Sequence, residues 1–479
     1  RRARAVREQR GAASGRSAML IPRLVVPPAA AAGEVAALRE RARQLSYCGP
    51  VVLVPAEAPA AEDAARWGDV LLELPCRFGP VPATEANVIA EWLNSGALAV
   101  VVDGPIDKIF ELHGQLPRDR LIAVVDDLLQ LTRGQVERLA TCVGGVVVKL
   151  KQDAGIHDIV EHGLTCWEEL GGFFPNGFSF LLDSSVGTAT DRADLVGQLH
   201  HLNGSDHPIH VECDSVRIQH DKDDGEDDFD GIALADALVA CLKTDRPDGL
   251  FATVVTDEHG VALGLVYSSE SSLHASLCCG RGVYWSRSRN ALWRKGDTSG
   301  AFQELVSIAF DCDADAVRFC VRQRGEPASF CHQGWRTCWG PDTGLAHLCR
   351  TLEDRKRNAP EGSYTKRLFD DRALLRNKLL EEAQEVIEAV EENDPKHVAE
   401  EVADLAYFLF TACAAGGATL EDVTNVLDLR SRKVKRRPGN AKEHRIKAAE
   451  AALDSINNAN DQGKAAAESE PPPPPPPPS

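Results

Sequence analysis

Hydrophobic and polar positions alternate in a regular way between residues 20 and 214. Short apolar runs rich in β-branched residues are separated by stretches with apolar residues at helical spacing. The runs that predict strands are 20–26, 50–55, 69–74, 97–103, 120–127, 145–150, 178–183 and 208–213. Their near-continuous apolar character is typical of a parallel sheet that is buried on both faces. The pattern therefore predicts an α/β domain over residues 19–214, with either a barrel-like or an open sheet.

The pattern changes twice after this domain. Residues 215–230 form an acidic, polar run without apolar periodicity, which predicts a solvated linker. Residues 231–350 hold one helical stretch, a Pro–Asp–Gly turn and several short strands, so a strand-rich α+β domain is expected. Residues 351–446 show helical patterns only, which predicts an all-α domain.

The helices of the all-α domain carry clear start signals. The first is expected over residues 371–393, with Asp371 as its cap. Pro395 can open the second helix because proline is tolerated at the first helical position. Thr419 and Asp422 have the spacing of a capping box, which predicts the start of a third helix.

Composition narrows the class of protein. The chain has 479 residues and a net charge of −19, which argues against a general nucleic-acid binder. No apolar run approaches the length of a membrane span. The 14 cysteines are scattered and no signal peptide is visible, so a reduced, cytoplasmic setting is expected.

The two ends of the sequence differ from the rest. Residues 1–18 are rich in Arg, Ala and Ser, as in an organellar transit peptide, but the only methionine is Met19. We therefore favour upstream sequence, with Met19 as the start. Residues 447–479 are rich in Ala and Glu and end in a proline run, which predicts a low-complexity tail.

Asp103, Asp126 and Asp183 stand at the carboxyl ends of predicted strands. Active-site carboxylates are common there in α/β folds, but aspartates also serve as caps and turn residues. A scaffold or dimerisation role is therefore the expectation for residues 19–214.

The strongest chemical signal lies between residues 311 and 338. Asp311, Asp313 and Asp315 alternate, so an extended chain would place their carboxylates on one side and Cys312 on the other. Two further cysteines and a histidine follow in this stretch: Cys331, Cys338 and His332. Carboxylates suit magnesium and thiolates suit zinc. The alternative is a solvated strand edge with cysteines buried as small apolar residues.

A basic segment precedes this stretch. Residues 280–300 contain Arg287, Arg289, Lys295 and Ser299 among aromatic and small residues. Guanidinium and ammonium groups beside hydroxyls and backbone amides are suited to a phosphate-bearing substrate.

These motifs together resemble phosphoribosyl-AMP cyclohydrolase, an enzyme of histidine biosynthesis. The resemblance covers about residues 231–345 and rests on YWSRSRNALWRKGDTSG, DCDADA and CHQGWRTC. It implies that the three aspartates bind Mg²⁺ and that Cys312, Cys331 and Cys338 bind Zn²⁺. It also implies a homodimer whose zinc site takes ligands from both subunits. His332 is a candidate for proton transfer.

A second set of carboxylates lies in the predicted helices. Glu382 and Glu385 are three residues apart and share one helix face, as do Glu401 and Asp404 on the next helix. If the helices pack antiparallel, the four carboxylates can converge and hold Mg²⁺ with a pyrophosphate. The alternative is a solvated, glutamate-rich face, but the second helix is largely apolar around its two acids.

The strings EEAQE and EEVADLAYF resemble phosphoribosyl-ATP pyrophosphohydrolase, one of the all-α nucleotide pyrophosphohydrolases. The resemblance covers about residues 353–440 and implies that these four acids are the Mg²⁺ ligands. Phe408 departs from the histidine that bacterial members usually have there. Arg436 and Arg437 are candidate phosphate contacts, with a solvated basic tail as the alternative.

The order of the segments resembles the fungal-type trifunctional proteins of histidine biosynthesis. The histidinol dehydrogenase domain that follows in that family has no counterpart in these residues. The resemblance implies hydrolysis of phosphoribosyl-ATP to phosphoribosyl-AMP and pyrophosphate, and then opening of the adenine ring by water. The alternative is a metal-binding scaffold without turnover.

Overall fold

The computed structural model describes residues 20–149, 165, 174, 178–182, 189–202, 209–218, 231–434, 442–444, 446–449, 451–453 and 455. The predicted N-terminal extension, Asp183, Arg436, Arg437 and most of the linker and tail lie outside the described residues. The described residues form two compact units. The first runs up to Pro341 and includes residues 425–434, and the second comprises residues 342–424 and the described residues from 442 onward.

The first unit begins with parallel strands that close into a barrel. The strands are β1 Leu20–Val26, β2 Val51–Pro55, β3 Cys76–Pro82, β4 Val100–Asp103, β5 Leu121–Val125, β6 Gly145–Lys149, β7 Phe178–Leu182 and β8 Ile209–Cys213. The connecting helices are α1 Ala32–Leu45, α2 Gly68–Glu73, α3 Ala86–Ser95, α4 Ile106–Glu111, α5 Arg133–Cys142 and α6 Ala189–Leu202. The predicted parallel α/β sheet is confirmed, and pairing of β8 with β1 closes it.

One predicted strand is wrong. Residues 69–73 lie in helix α2, which ends before Leu74, and the third strand is β3, which follows it. A short, buried apolar run does not distinguish a strand from a helix by its periodicity. The true strand contains Gly79 and Pro80, which weaken a strand prediction. Gly79 is required there because a Cβ would come within 2.4 Å of the Val101 carbonyl oxygen.

Alternate residues of the barrel strands face opposite sides. Ile21, Val52, Val101, Ile122 and Val147 form one small buried cluster, which by strand alternation lines the barrel axis. The residues between them belong to the larger core under the helices. Both faces of the sheet are therefore buried, which explains the near-continuous apolar runs.

The helix that completes the barrel comes from beyond the acidic linker. Two short strands, β9 Val216–Arg217 and β10 Ile232–Ala233, pair across the linker, and α7 Leu234–Cys241 follows. Helix α7 packs on α6 and β1, and Gly197 lies so close that a Cβ would come within 2.5 Å of the Ala240 carbonyl oxygen. The predicted boundary at 215–230 therefore does not separate two independent cores.

A four-stranded sheet occupies the rest of this unit. Its strands are β11 Phe251–Asp257, β12 Ala262–Ser268, β15 Gln303–Phe310 and β16 Ala316–Gln323, in the order β12–β11–β16–β15. Helix α8 Glu270–Cys279 follows β12, and β13 Val283–Ser286 pairs with β14 Ala291–Arg294 as a separate ribbon. Strands β11 and β16 are parallel, with Ala252 beside Ala316 at one end and Asp257 beside Val321 at the other. We call these the aspartate end and the cysteine end of the sheet.

The second unit is helical, as predicted. Its helices are α9 Gly344–Asn358, α10 Tyr364–Asp370, α11 Arg372–Glu392 and α12 Pro395–Gly416, and the first turn of α13 Leu420–Arg432 follows. Asp371 caps α11 by accepting from the N–H groups of Ala373 and Leu374. The helical pattern starts at Gly344, earlier than the predicted residue 351.

Among the residues that the structure describes, no single helix is long and apolar enough to cross a membrane, and one bent pair, α12 with α13, reaches the required length and composition only when the two are combined.

Candidate metal and substrate sites

The three alternating aspartates lie in the turn between β15 and β16. The Asp311 carboxylate accepts from the backbone N–H groups of Asp315 and Ala316, each at 3.2 Å. Ala314 has a φ of 62°, which tightens the turn. Asp311, Asp313 and Asp315 each offer one oxygen within 4.8 Å of the others, and all three are exposed. The carboxylates therefore meet through a turn, not through the extended chain that was predicted.

The electrostatics of this turn fit a cation. Repulsion from the Asp311 and Asp313 carboxylates raises the pKa of Asp315. Three exposed carboxylate oxygens are the ligands that Mg²⁺ prefers, because Mg²⁺ keeps several waters and takes few protein ligands. The donor set therefore fits Mg²⁺.

Cys331 and Cys338 lie on a loop after β16. Cys331 donates its N–H to the Trp335 carbonyl oxygen at 2.9 Å, and Cys338 donates its N–H to that of Leu263 at 2.8 Å. Burial, followed by the neighbouring Cys331 thiol, raises the pKa of Cys338. Two adjacent thiols suit Zn²⁺, which would bind them as thiolates. His332 is exposed and its Nδ1 lies 3.9 Å from the Cys331 Sγ.

Cys312 is not near this pair within one chain. It sits in the aspartate turn, at the aspartate end of the sheet, whereas the backbone of Cys338 is bound beside Leu263 at the cysteine end. The separation corresponds to at least three strand residues, or about 10 Å. Among the described residues, no group of three candidate ligands joins Cys312 to Cys331 and Cys338.

A cleft of about 490 Å³ opens at the aspartate end. Alternation along β13 buries Tyr284, which donates to Gln303 at 2.7 Å, and turns Trp285 toward the cleft. Arg287 also lines the cleft, and its guanidinium stacks 3.9 Å from the centre of the Tyr267 ring. The cleft therefore combines an aromatic face with an exposed cation, which suits a nucleotide carrying phosphate.

The other predicted phosphate contacts are arranged differently. Arg289 is exposed and its Nε donates to the Ser286 hydroxyl at 3.2 Å. Ser299 is exposed, and its hydroxyl accepts from the Ala301 N–H. Lys295 is buried, donates to the Ser329 carbonyl oxygen at 3.3 Å, and lies near the two thiols. Burial lowers the pKa of Lys295, and the Cys338 and Cys331 thiols oppose that shift.

The helical carboxylates also come together. Glu382, Glu401 and Asp404 each offer one oxygen within 4.8 Å of the others. Glu382 is only 4% exposed because it lies between Leu375 and Ala389 on the buried stripe of α11. One of its oxygens, Oε2, is buried without a hydrogen-bond partner. A buried acceptor of this kind requires a cation or donor, so the site fits Mg²⁺.

Glu385 lies beside this cluster but not within it. Burial, followed by the charges of Glu382 and Glu401, raises the pKa of Glu385 to about 7. Like charges that are partly removed from water disfavour ionisation. The shift is a second sign that these acids need a cation.

Two basic side chains beside the cluster, Lys378 and His397, were not predicted from the sequence. The Lys378 Nζ lies 2.7 Å from the Glu382 Oε1 and 3.0 Å from the Glu381 Oε2. Burial lowers the pKa of Lys378, but the hydrogen bonds to Glu382 and Glu381 outweigh this effect, so the pKa is raised overall. His397 lies at the edge of the same cluster, with its Nε2 3.2 Å from the Glu401 Oε1. The spacing of four residues between each cation and its glutamate was the available signal.

Phe408, at the position where the resemblance led us to expect histidine, is buried against the cluster. Its ring is 5% exposed and lies 5.4 Å from the Lys378 Nζ. The polar partner of Glu382 is therefore Lys378, and Phe408 contributes an apolar contact to Lys378.

The strand-end aspartates of the barrel pair with an ammonium group. The Lys149 Nζ lies 3.5 Å from an Asp103 oxygen and 3.7 Å from an Asp126 oxygen. All three side chains are well exposed to solvent. These carboxylates are exposed and pair with a cation, whereas Glu382 is buried and its Oε2 has no hydrogen-bond partner.

Comparisons with known proteins match the two segments separately. The family model of phosphoribosyl-AMP cyclohydrolase matches residues 264–340, and that of phosphoribosyl-ATP pyrophosphohydrolase matches residues 345–431.

Curated proteins match over stretches of 211 to 217 residues. The histidine biosynthesis bifunctional protein his7 of Schizosaccharomyces pombe is 51% identical over 211 residues, which are 44% of this chain and 49% of that protein. The histidine biosynthesis trifunctional protein of Neurospora crassa is 50% identical over 217 residues, 45% of this chain and 24% of that protein. The histidine biosynthesis bifunctional protein HisIE of Synechocystis is 38% identical over 213 residues, 42% of this chain and 98% of that protein. The chain thus spans about half of the first relative and a quarter of the second.

Proposed function

The chain belongs to the family of bifunctional HisIE proteins of histidine biosynthesis, and we propose that it catalyses two successive hydrolytic steps. The helical unit converts phosphoribosyl-ATP to phosphoribosyl-AMP and pyrophosphate. The strand-rich segment then opens the adenine ring of phosphoribosyl-AMP with water. The observation that carries this proposal is that each matched segment contains its own cluster of three carboxylates.

The residues of the helical unit are suited to hold a pyrophosphate group. Glu382, Glu401 and Asp404 would hold Mg²⁺, which supplies charge neutralisation to phosphate oxygens. Lys378 orients Glu382 through the 2.7 Å contact and keeps its carboxylate in place on the buried face of α11. Glu385 has a carboxyl that can exchange a proton near neutral pH, which suits the handling of an attacking water.

Different residues of the strand-rich segment are suited to different parts of the substrate. Trp285 offers a stacking face in the cleft and Arg287 offers a phosphate contact. Asp311, Asp313 and Asp315 would hold Mg²⁺ at the same end of the sheet. The three cysteines would hold Zn²⁺, which supplies Lewis acidity to a water. His332, beside Cys331, is positioned to exchange a proton with solvent.

We also propose a homodimer in which Cys312 of one chain meets Cys331 and Cys338 of another. The position of Cys312 at the opposite end of the sheet supports this arrangement. Apolar side chains on the exposed sheet face and the cysteine loop support it further: Val254 38%, Leu265 51%, Trp335 54% and Trp339 64% exposed. Such residues are buried at subunit interfaces.

Purified protein incubated with phosphoribosyl-ATP tests the enzyme proposal. Pyrophosphate should appear with Mg²⁺, and the ring-opened product should follow when Zn²⁺ is present. Glu382→Ala should remove only the first step and Cys331→Ala only the second, assayed with phosphoribosyl-AMP. Glu388→Ala and Cys320→Ala are matched controls outside the clusters. A protein that forms neither product would be the scaffold alternative, and loss of both steps from either variant would contradict the two-site assignment.

Mixing two inactive variants tests the dimer. Cys312→Ser and Cys331→Ser should each lack ring opening when alone. In mixed dimers one of the two composite sites is intact, so co-expression should restore about a quarter of the wild-type activity. A zinc site built within one chain would give no recovery.

A further inference from the structure

The loop that carries Cys331 and Cys338 is tied to the sheet by one charged pair. Between β16 and α9 the chain forms turns and bends with one isolated bridge, so the loop lacks a ladder of its own. The Arg336 Nη2 lies 3.1 Å from the Asp257 Oδ2. Arg336 is 13% exposed and Asp257 is fully buried, so solvent screens this pair little.

Asp257 is a fixed acceptor. It ends β11, and its other oxygen, Oδ1, accepts from the N–H groups of His259 at 3.1 Å and Val261 at 2.9 Å. The Asp257 backbone N–H also donates to the Val261 carbonyl oxygen at 2.9 Å. The carboxylate therefore cannot follow Arg336 if the loop moves, because the β11–β12 turn holds it from the opposite side.

Arg336 lies between the two cysteines and contacts both halves of the loop. Its carbonyl oxygen accepts from the Phe330 N–H at 3.2 Å, just before Cys331. Two residues after it, the Cys338 N–H binds the Leu263 carbonyl oxygen. The ring of Phe330 closes this arrangement against Gly264, where a Cβ would come within 2.2 Å of the ring. Holding Arg336 therefore sets the positions of both thiols relative to the sheet.

We infer that Asp257 and Arg336 are a positioning pair that keeps Cys331 and Cys338 ready to capture a thiolate-binding metal ion. A loop that is ordered before binding loses less conformational entropy when it closes on the metal. Loss of an outer partner of a metal site typically weakens metal affinity by about 10- to 100-fold. The inference rests on the proposed zinc site, which it deepens by naming the residues that support it.

Titration of the full-length, metal-free protein with Co²⁺ tests the pair, since thiolate binding gives a charge-transfer absorption band. Arg336→Gln should weaken Co²⁺ binding by about 10- to 100-fold, and Arg336→Lys should restore part of the affinity because it keeps the charge. Asp257→Asn should resemble Arg336→Gln, because the amide oxygen still accepts from the turn but the negative charge is gone. The far-ultraviolet circular dichroism spectrum and the thermal unfolding curve of the same preparation report whether the unit that contains the pair is folded.

Arg324→Gln is the matched control. Arg324 pairs with Glu304 at 2.8 Å on the same sheet, but both side chains are about half exposed, so its loss should leave Co²⁺ affinity unchanged. Wild-type affinity in Arg336→Gln, or an equal loss in Arg324→Gln, would overturn the inference. If the wild-type protein binds Co²⁺ through thiolates but does not open the adenine ring, the proposed activity is wrong. The titration of the variants would still decide whether Asp257 and Arg336 position the thiols.

Discussion

The two carboxylate clusters use the same donors in opposite settings. Asp311, Asp313 and Asp315 stay exposed on a turn, so water solvates their charges and the backbone holds the first of them. Glu382, by contrast, is 4% exposed on a helix stripe with one oxygen lacking a partner. The cost of removing a charge from water is therefore small in the turn and large in the helices. We therefore expect a bound cation to stabilise the fold of the helical cluster. In the turn we expect it to matter only for the chemistry.

The largest expected effect comes from Glu382, the buried member of the proposed Mg²⁺ site. Glu382→Gln keeps the shape of the side chain but removes the charge, and the amide cannot replace a carboxylate toward Mg²⁺. Pyrophosphate release should fall by at least about 100-fold, the upper cost of losing an outer partner of a metal site. Ring opening of phosphoribosyl-AMP should not change. Initial rates with each substrate measure both, and Glu388→Gln on the same helix is the control. If pyrophosphate release fell only tenfold or less, the buried cluster would depend on its carboxylate no more than the exposed turn does.

Substitutions in the exposed aspartate turn should weaken ring opening to different extents. Asp313→Ala removes one proposed ligand, which water can replace, so the Mg²⁺ concentration for half-maximal ring opening should rise about 10-fold. Asp311→Ala also removes the acceptor for the Asp315 and Ala316 N–H groups, so the rise should approach about 100-fold. Asp311→Asn keeps that acceptor, so its Mg²⁺ concentration for half-maximal ring opening should lie between those of the two alanine variants. Equal shifts for all three variants would show that the turn needs no internal hydrogen bonds.

The same contrast explains how far the sequence could predict the molecule. β-branched runs predicted seven of the barrel strands, but β3, with its Gly–Pro pair, was missed. Closure depends on Leu20 pairing with Val211, far apart in the chain, and no local pattern encodes that contact. Helical spacing predicted the shared faces of the glutamates directly.

The supporting contacts were harder to predict. Asp257 and Arg336 are 79 residues apart, and nothing in the local sequence of either indicates the other. The aspartate turn was expected as an extended chain because alternation suits a strand. A turn capped by its own first aspartate produces the same convergence by other means. Lys378 was within reach of sequence reasoning through its spacing from Glu382.

Removing the ammonium beside Glu382 should sharpen the comparison at the level of stability. Lys378→Met leaves a buried carboxylate without its charged partner, so the metal-free protein should lose about 1–3 kcal/mol of unfolding free energy. Mg²⁺ should recover much of this loss, because a ligand that binds only the folded state stabilises it. Thermal unfolding with and without Mg²⁺ measures the difference. An identical loss in both conditions would mean that Lys378 and the metal do not share Glu382.

The smallest effect is expected at the mouth of the barrel, where Lys149 pairs with exposed carboxylates, unlike Lys378, which pairs with the buried Glu382. Its contacts of 3.5 Å to Asp103 and 3.7 Å to Asp126 are exposed, and exposed pairs contribute at most about 1 kcal/mol. Lys149→Met should therefore lower the unfolding free energy by no more than that, and Mg²⁺ should not compensate, since the exposed carboxylates remain solvated. Both activities should stay at the wild-type level. Unfolding curves at two Mg²⁺ concentrations and the two assays measure these outcomes. A tenfold loss of either activity would instead place a working group at the carboxyl ends of the barrel strands, where active sites of this architecture lie.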